Sequence, residues 1–384
     1  MLIRCTRCMW SLWRRCSNAS APGLWSMISP EAAARFGADD DALRVRRSMS
    51  MTTRWRRLRP QRWVTGTTAS ARAAARALGL AAMIWAAAPV PGQTQGGFRF
   101  GSVNETSLGL WEGERPVLVY NHGVIRRPGV AEHLARSTYV HPLYGLDGEV
   151  LTDDFPSDHL HHRGLFWAWP HVRIGEAHYD LWLLRGIRQQ FERWIRREAT
   201  NEGARLEVEN GWYVGADKVV AEEVRFHVHP AREDARAVDV AFTWTVRKGP
   251  LTLQGAEGKS YGGLTLRFAP GTNTTITIPA GRISEDLPMT HLPWADLTRL
   301  WEATRQTSGA AIFVAPDHPD YPPQWLLRHY GVLCLGWPGV QAATFAEGQT
   351  IRARYRIWIH RGAVSADRLR RAYEEYCREL SVSR

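Results

Sequence analysis

The chain has 384 residues and a formal net charge of +11, from 49 Lys and Arg against 38 Asp and Glu. Residues 1–95 alone carry 15 Arg and 4 acidic residues, so the whole excess lies there and the remainder is neutral. A nucleic-acid partner inferred from the high pI is therefore excluded, and the neutral part is long enough to bury one large core.

Residues 1–50 show no sustained periodicity and read as a mis-assigned or non-structured extension. From Met51 the pattern is that of an export signal. Arg54, Arg56, Arg57, Arg59 and Arg62 form a basic region, and the apolar run Ala77–Val90 follows, with small residues at Ala86–Ala88. The run is too short for an ordinary spanning helix. Residues 51–95 are read as signal and linker, and 97–384 as one domain that is periplasmic or secreted, with no membrane span in the mature chain.

After the leader the pattern is β. GLWEGERPVLVYNHG predicts two strands around Gly113. KVVAEEVRFHVHP puts Val224, Phe226 and Val228 on one face and Arg225, His227 and His229 on the other. RAVDVAFTWTVRKG alternates in the same way, and shorter runs separated by Gly, Pro and Asn continue to IRARYRIWIH. So many strands at this spacing predict an all-β fold, a large sandwich or barrel. DLWLLRGIRQQFERWIRRE fits either a helix or a strand pair. One helix closes the chain, with Ser365 as N-cap and Leu369, Ala372, Tyr376 and Leu380 at helical spacing. Of the two cysteines after the leader, Cys334 reads as a buried apolar residue, and pairing with Cys377 stays open.

The chemistry concentrates in YVHPLYGLDGEVLTDDFPSDHLHHRGLFWAW, residues 139–169. It holds His141, His159, His161, His162, Asp153, Asp154, Asp158 and Arg163. Imidazoles and carboxylates at this density perturb one another's protonation and favour a functional site over a purely structural one. If residues 159–163 are extended, His159, His161 and Arg163 share one face and His162 points to the other. A histidine then moves protons, Arg163 orients the substrate, and Asp153, Asp154 or Glu257 supplies the carboxylate. His159, His161, Arg163 and His141 are the catalytic candidates. His162, Asp153, Asp154, Lys259 and Tyr261 are the substrate-binding candidates. HxHH lacks the fixed spacing of zinc motifs, and Arg163 beside it repels a cation, so no metal or cofactor is expected.

The same stretch resembles the bacterial PmoA family, also labelled methane oxygenase PmoA. YGGLTLRF, DHPDYPPQW and RIWIHRG extend the likeness over roughly residues 98–380. The strand-rich length is similar to the galactose mutarotase-like β-supersandwich, where His, Arg and a carboxylate line a sugar site. That likeness implies a large β-supersandwich with a C-terminal helix, acting on or binding a carbohydrate or other small polar substrate by epimerase, lyase or hydrolase chemistry. A non-catalytic sugar-binding module is the alternative. The metal-dependent oxygenase of the label is a third reading.

Overall fold

The computed structural model describes residues 96–382, so the expected extension and signal lie outside the described residues. The domain is all-β with one C-terminal helix. Two antiparallel nine-stranded sheets form a β-supersandwich, and a four-stranded sheet flanks them. The first sheet takes most of its strands from the early chain. The second has the long strands Arg188–Ala199, Ala204–Val214, Asp217–Val228, Ala235–Val246 and Thr350–Arg361 at one side.

Period-two patterning explains why the second sheet is one-sided. In the hairpin of Asp217–Val228 with Ala235–Val246, Val224 pairs with Phe242 and Phe226 with Val240, so the apolar set lies on a single face. That face meets the first sheet. Trp167 lies 4.8 Å from Phe242, Trp169 5.5 Å from Trp244 and Tyr120 5.9 Å from Phe226, ring centre to ring centre. The opposite face is partly covered by the helix Ala366–Val382, through Tyr373 and Tyr376 against Phe313 and Trp294. The Ser365 hydroxyl accepts the Arg368 N–H at 3.3 Å, as expected of the N-cap.

A buried carboxylate sits between the sheets. Glu222 is fully buried, and its Oε2 accepts the indole N–H groups of Trp167, Trp212 and Trp244, each at 2.8 Å. Its Oε1 accepts Asn210 Nδ2 at 3.0 Å. Trp167 lies on Leu165–Ala168, the strand that leaves the histidine-rich stretch, so this network pins one end of that stretch to the core.

The ambiguous segment from Asp180 resolves into a turn at 181–184 followed by the strand Arg188–Ala199, not a helix. Cys334 and Cys377 are both free thiols. Cys334 is in the inter-sheet core, and Cys377 is on the helix outside it. Among the described residues no helix is long and apolar enough to cross a membrane.

Candidate functional site

The histidine-rich segment is a turn, not an extended run. His159 N–H donates to Pro156 O at 3.1 Å, and His162 N–H donates to His159 O at 2.8 Å. An i to i+3 hydrogen bond brings the first and last side chains together. His159 therefore stacks on His162, 4.6 Å apart and 12° from parallel. His161 stands edge-on to both, at 5.7 and 4.6 Å. The shared face expected for His159, His161 and Arg163 is not formed. His162 is buried beneath Trp182, 5.4 Å away, so it does not present to a ligand as expected.

Arg163 is also corrected. Its side chain is fully buried and donates to the carbonyls of Leu160 at 2.9 Å, His162 at 2.6 Å and Leu134. The guanidinium lies 3.5 Å from the Phe155 ring centre and 3.4 Å from Asp154. It closes the turn and leaves no free face for a substrate. Asp154 is held the same way, accepting the Tyr139 hydroxyl at 2.9 Å. Burial pushes its carboxyl up to about 6, with Arg163 pulling against the shift. Asp153 accepts the Asp154 N–H at 2.8 Å and is likewise raised by burial. Both aspartates serve the loop. His141 lies 3.0 Å from the Thr152 hydroxyl and is pushed down to about 4, by burial first and then by Arg163. Gly164 is required beside it, since a Cβ there would fall 2.2 Å from the Val140 carbonyl oxygen.

Asp158 and the half-buried His159 lie on the outward part of the turn, between the exposed Ser157 and Leu160. Nδ1 of His159 lies 3.1 Å from Asp158 Oδ2. Asp158 in turn receives Arg267 Nη2 on both oxygens, at 2.7 and 2.9 Å. Burial opposes ionisation of Asp158, but Arg267 and His159 hold its carboxyl below the usual range. Arg267 is itself 4 % exposed, and its Nε and Nη1 have no hydrogen-bond partner. It lies 4.8 Å from the ring centre of Tyr330, which stacks on His159 at 5.4 Å and 8°. Sequence reasoning missed Arg267, although a signal exists. It is the charged end of the otherwise buried strand Gly263–Arg267, and a buried charge needs a partner. Tyr330, 43 % exposed, comes from the turn between the strands Gln324–Arg328 and Val332–Gly336.

The remaining candidates divide. Tyr261 joins the site through Trp182, at 4.8 Å, and Trp182 reaches His161 at 6.2 Å. Lys259 and Glu257 are exposed on the preceding turn, and among the described residues no contact ties either to the histidines.

His161 is pushed down to about 3, by burial first and then by His159, Arg136 and Arg163. With His141 and His318, both near 4, it stays neutral in the folded chain where an unfolded histidine would take a proton at 6.5. Stability from these groups is complete above about pH 6.5 and is lost as pH falls toward their folded values. Asp154 acts oppositely between 3.8 and about 6, as do the raised Asp153 and Asp180, but His122 and His162 are lowered by burial alongside the three histidines. The urea midpoint should drop between pH 6.5 and 4. A midpoint constant across that window would contradict neutral burial.

Among the described residues the grouping with three ligand atoms within 4.8 Å of one another is His227, His229 and Asp239, elsewhere on the fold.

Two crystal structures of heparan sulfate lyase HepC from Pedobacter heparinus are similar to this chain at a low level. The mutant shares 8 % identity over 70 % of this chain and 36 % of its own, with a TM-score of 0.34. The other shares 6 % over 67 % and 34 %, with a TM-score of 0.30. The chain thus spans about a third of the length of those structures. No curated protein matches it. A family model, described as a family of unknown function (DUF6807), matches residues 108–374, which include the histidine turn, Arg267 and Tyr330. The chain belongs to the DUF6807 family.

Proposed function

We propose that the protein acts on a polar carbohydrate, with His159 as the group that moves the proton. The observation that carries this reading is the Arg267–Asp158–His159 alignment. A buried guanidinium holds a carboxylate, and that carboxylate lies against one ring nitrogen of a partly exposed imidazole. His159 Nδ1 and Asp158 Oδ2 are in ion-pair contact without hydrogen-bond geometry, and a small rotation of either side chain gives a base oriented by a third group, the arrangement that general acid–base and nucleophilic catalysis need. The exposed Tyr330 and the half-buried Tyr261 supply ring faces suited to the apolar face of a sugar. Arg163 and Asp154 keep the turn in shape from beneath. Epimerisation, lyase chemistry and hydrolysis all use this device.

The test is a panel of neutral and acidic oligosaccharides, screened first for binding and then for turnover. Turnover of a bound sugar is the expected result. Binding through the aromatic rings with no turnover of any bound sugar would instead make the protein a carbohydrate-binding module.

The reading includes export of the mature domain, supported by the basic-then-apolar leader. N-terminal sequencing of protein recovered from the periplasm or medium should begin after the small residues Ala86–Ala88. A mature N-terminus upstream of Met51 would overturn export by this signal.

A further inference from the structure

On the far side of the second sheet from the core, the strand Asp217–Val228 has His227 as its penultimate residue, and His229 follows just past its end. Phe226 and Val228 point inward, so His227 and His229 share the outer face. Asp239 is the direct cross-strand partner of His227. The two imidazole rings are 4.1 Å apart, and His229 Nε2 lies 2.7 Å from Asp239 Oδ2. One ligand atom from each of the three residues falls within 4.8 Å of the others. All three are half-buried; His227 and Asp239 lie on paired strands at fixed register, and His229, just past the strand end, donates its backbone N–H to Ala237 O at 3.0 Å.

We infer that His227, His229 and Asp239 form a divalent-cation site, with zinc the ion whose chemistry fits two imidazoles and one carboxylate. Three protein ligands with a fourth position for water or a ligand is the arrangement of open zinc sites. Space for that position exists on both sides. A cleft of 270 Å³ is lined by His227, Asp239 and Tyr376, and another of 730 Å³ by His229, Arg356 and Glu379. The supporting shell is also in place. Arg356 donates to both Asp239 oxygens, at 2.6 and 2.9 Å, and to Glu379 of the helix at 2.7 Å. Those bonds fix the carboxylate's orientation, as outer partners of metal ligands do.

The charges facing the site set the affinity. Seven arginines line the two clefts and oppose a cation, Arg205, Arg225, Arg354 and Arg356 among them, whereas six carboxylates favour it, Asp239, Glu379 and Glu207 among them. The balance is close to even, so the site is of moderate strength. On binding, the ion replaces the hydrogen bond between His229 and Asp239, so zinc and protons compete and affinity falls on acidification.

The test uses the full chain, stripped of metal and titrated with zinc by calorimetry and with cobalt(II) by absorption. Zinc should bind at this site with about one ion per chain. His227→Gln and His229→Gln, which preserve side-chain size, should each weaken it roughly tenfold or more, while His159→Ala and His161→Ala leave it unchanged. The cobalt adduct should lack a thiolate charge-transfer band, which separates this site from Cys5 and Cys8 of the leader. No uptake at millimolar zinc, or a titration identical in the His227→Gln/His229→Gln double variant, would overturn the assignment.

Discussion

Glu222→Ala should destabilise the fold by about 3–5 kcal/mol, the usual result of removing one partner from a buried charged network. The substitution leaves the indole N–H groups of Trp167, Trp212 and Trp244 without their acceptor, together with Asn210, at a position fully closed to water. Each stranded donor carries its desolvation penalty in full. Glu222→Gln keeps one oxygen as acceptor but turns an amide N–H₂ toward other donors, so its loss should be smaller. Urea unfolding followed by tryptophan emission measures both variants, and near-UV dichroism reports whether the indoles stay ordered. An alanine variant within about 1 kcal/mol of wild type would mean that the network relaxes or admits water.

His159→Ala should lower turnover of whichever sugar the protein processes by a factor of about 10²–10⁴, the range for a lost general acid or base. Binding should change far less, because the aromatic rings remain. Asp158→Asn tests the alignment separately. Its amide keeps the size but weakens the pairing with Arg267, so kcat should fall while KM moves little. His161→Ala distinguishes the two histidines. An imidazole pushed down to about 3 is too weak a base to carry a proton near neutral pH, so its removal should cost less than that of His159. If His161→Ala were the more damaging change, the proton-transfer role would pass to His161.

The sequence by itself determined the fold class and the place of the chemistry. Period-two alternation in 220–228 and 235–246 can bury only one face, so the strands and their inward residues followed directly. Ser365 and the 3.6-residue spacing marked the one helix. The density of histidine and aspartate marked residues 139–169. Roles within that stretch depended on the tertiary structure. Whether 159–162 is extended or turned rests on hydrogen bonds between backbone groups, and no side-chain pattern fixes those in so short a segment. Arg163 read as a substrate arm because an arginine's charge is visible in sequence and its burial is not. Leu134, Phe155 and Asp154, brought in by the fold, occupy it. Arg267 and Tyr330 come to His159 from more than a hundred residues away, across neighbouring strands of the first sheet. His227, His229 and Asp239 meet only because the hairpin register sets His227 opposite a carboxylate. Alternation is local physics and is legible along the chain. Pairing between distant strands, and the burial of charge that follows from it, exists only once the two sheets have closed on each other.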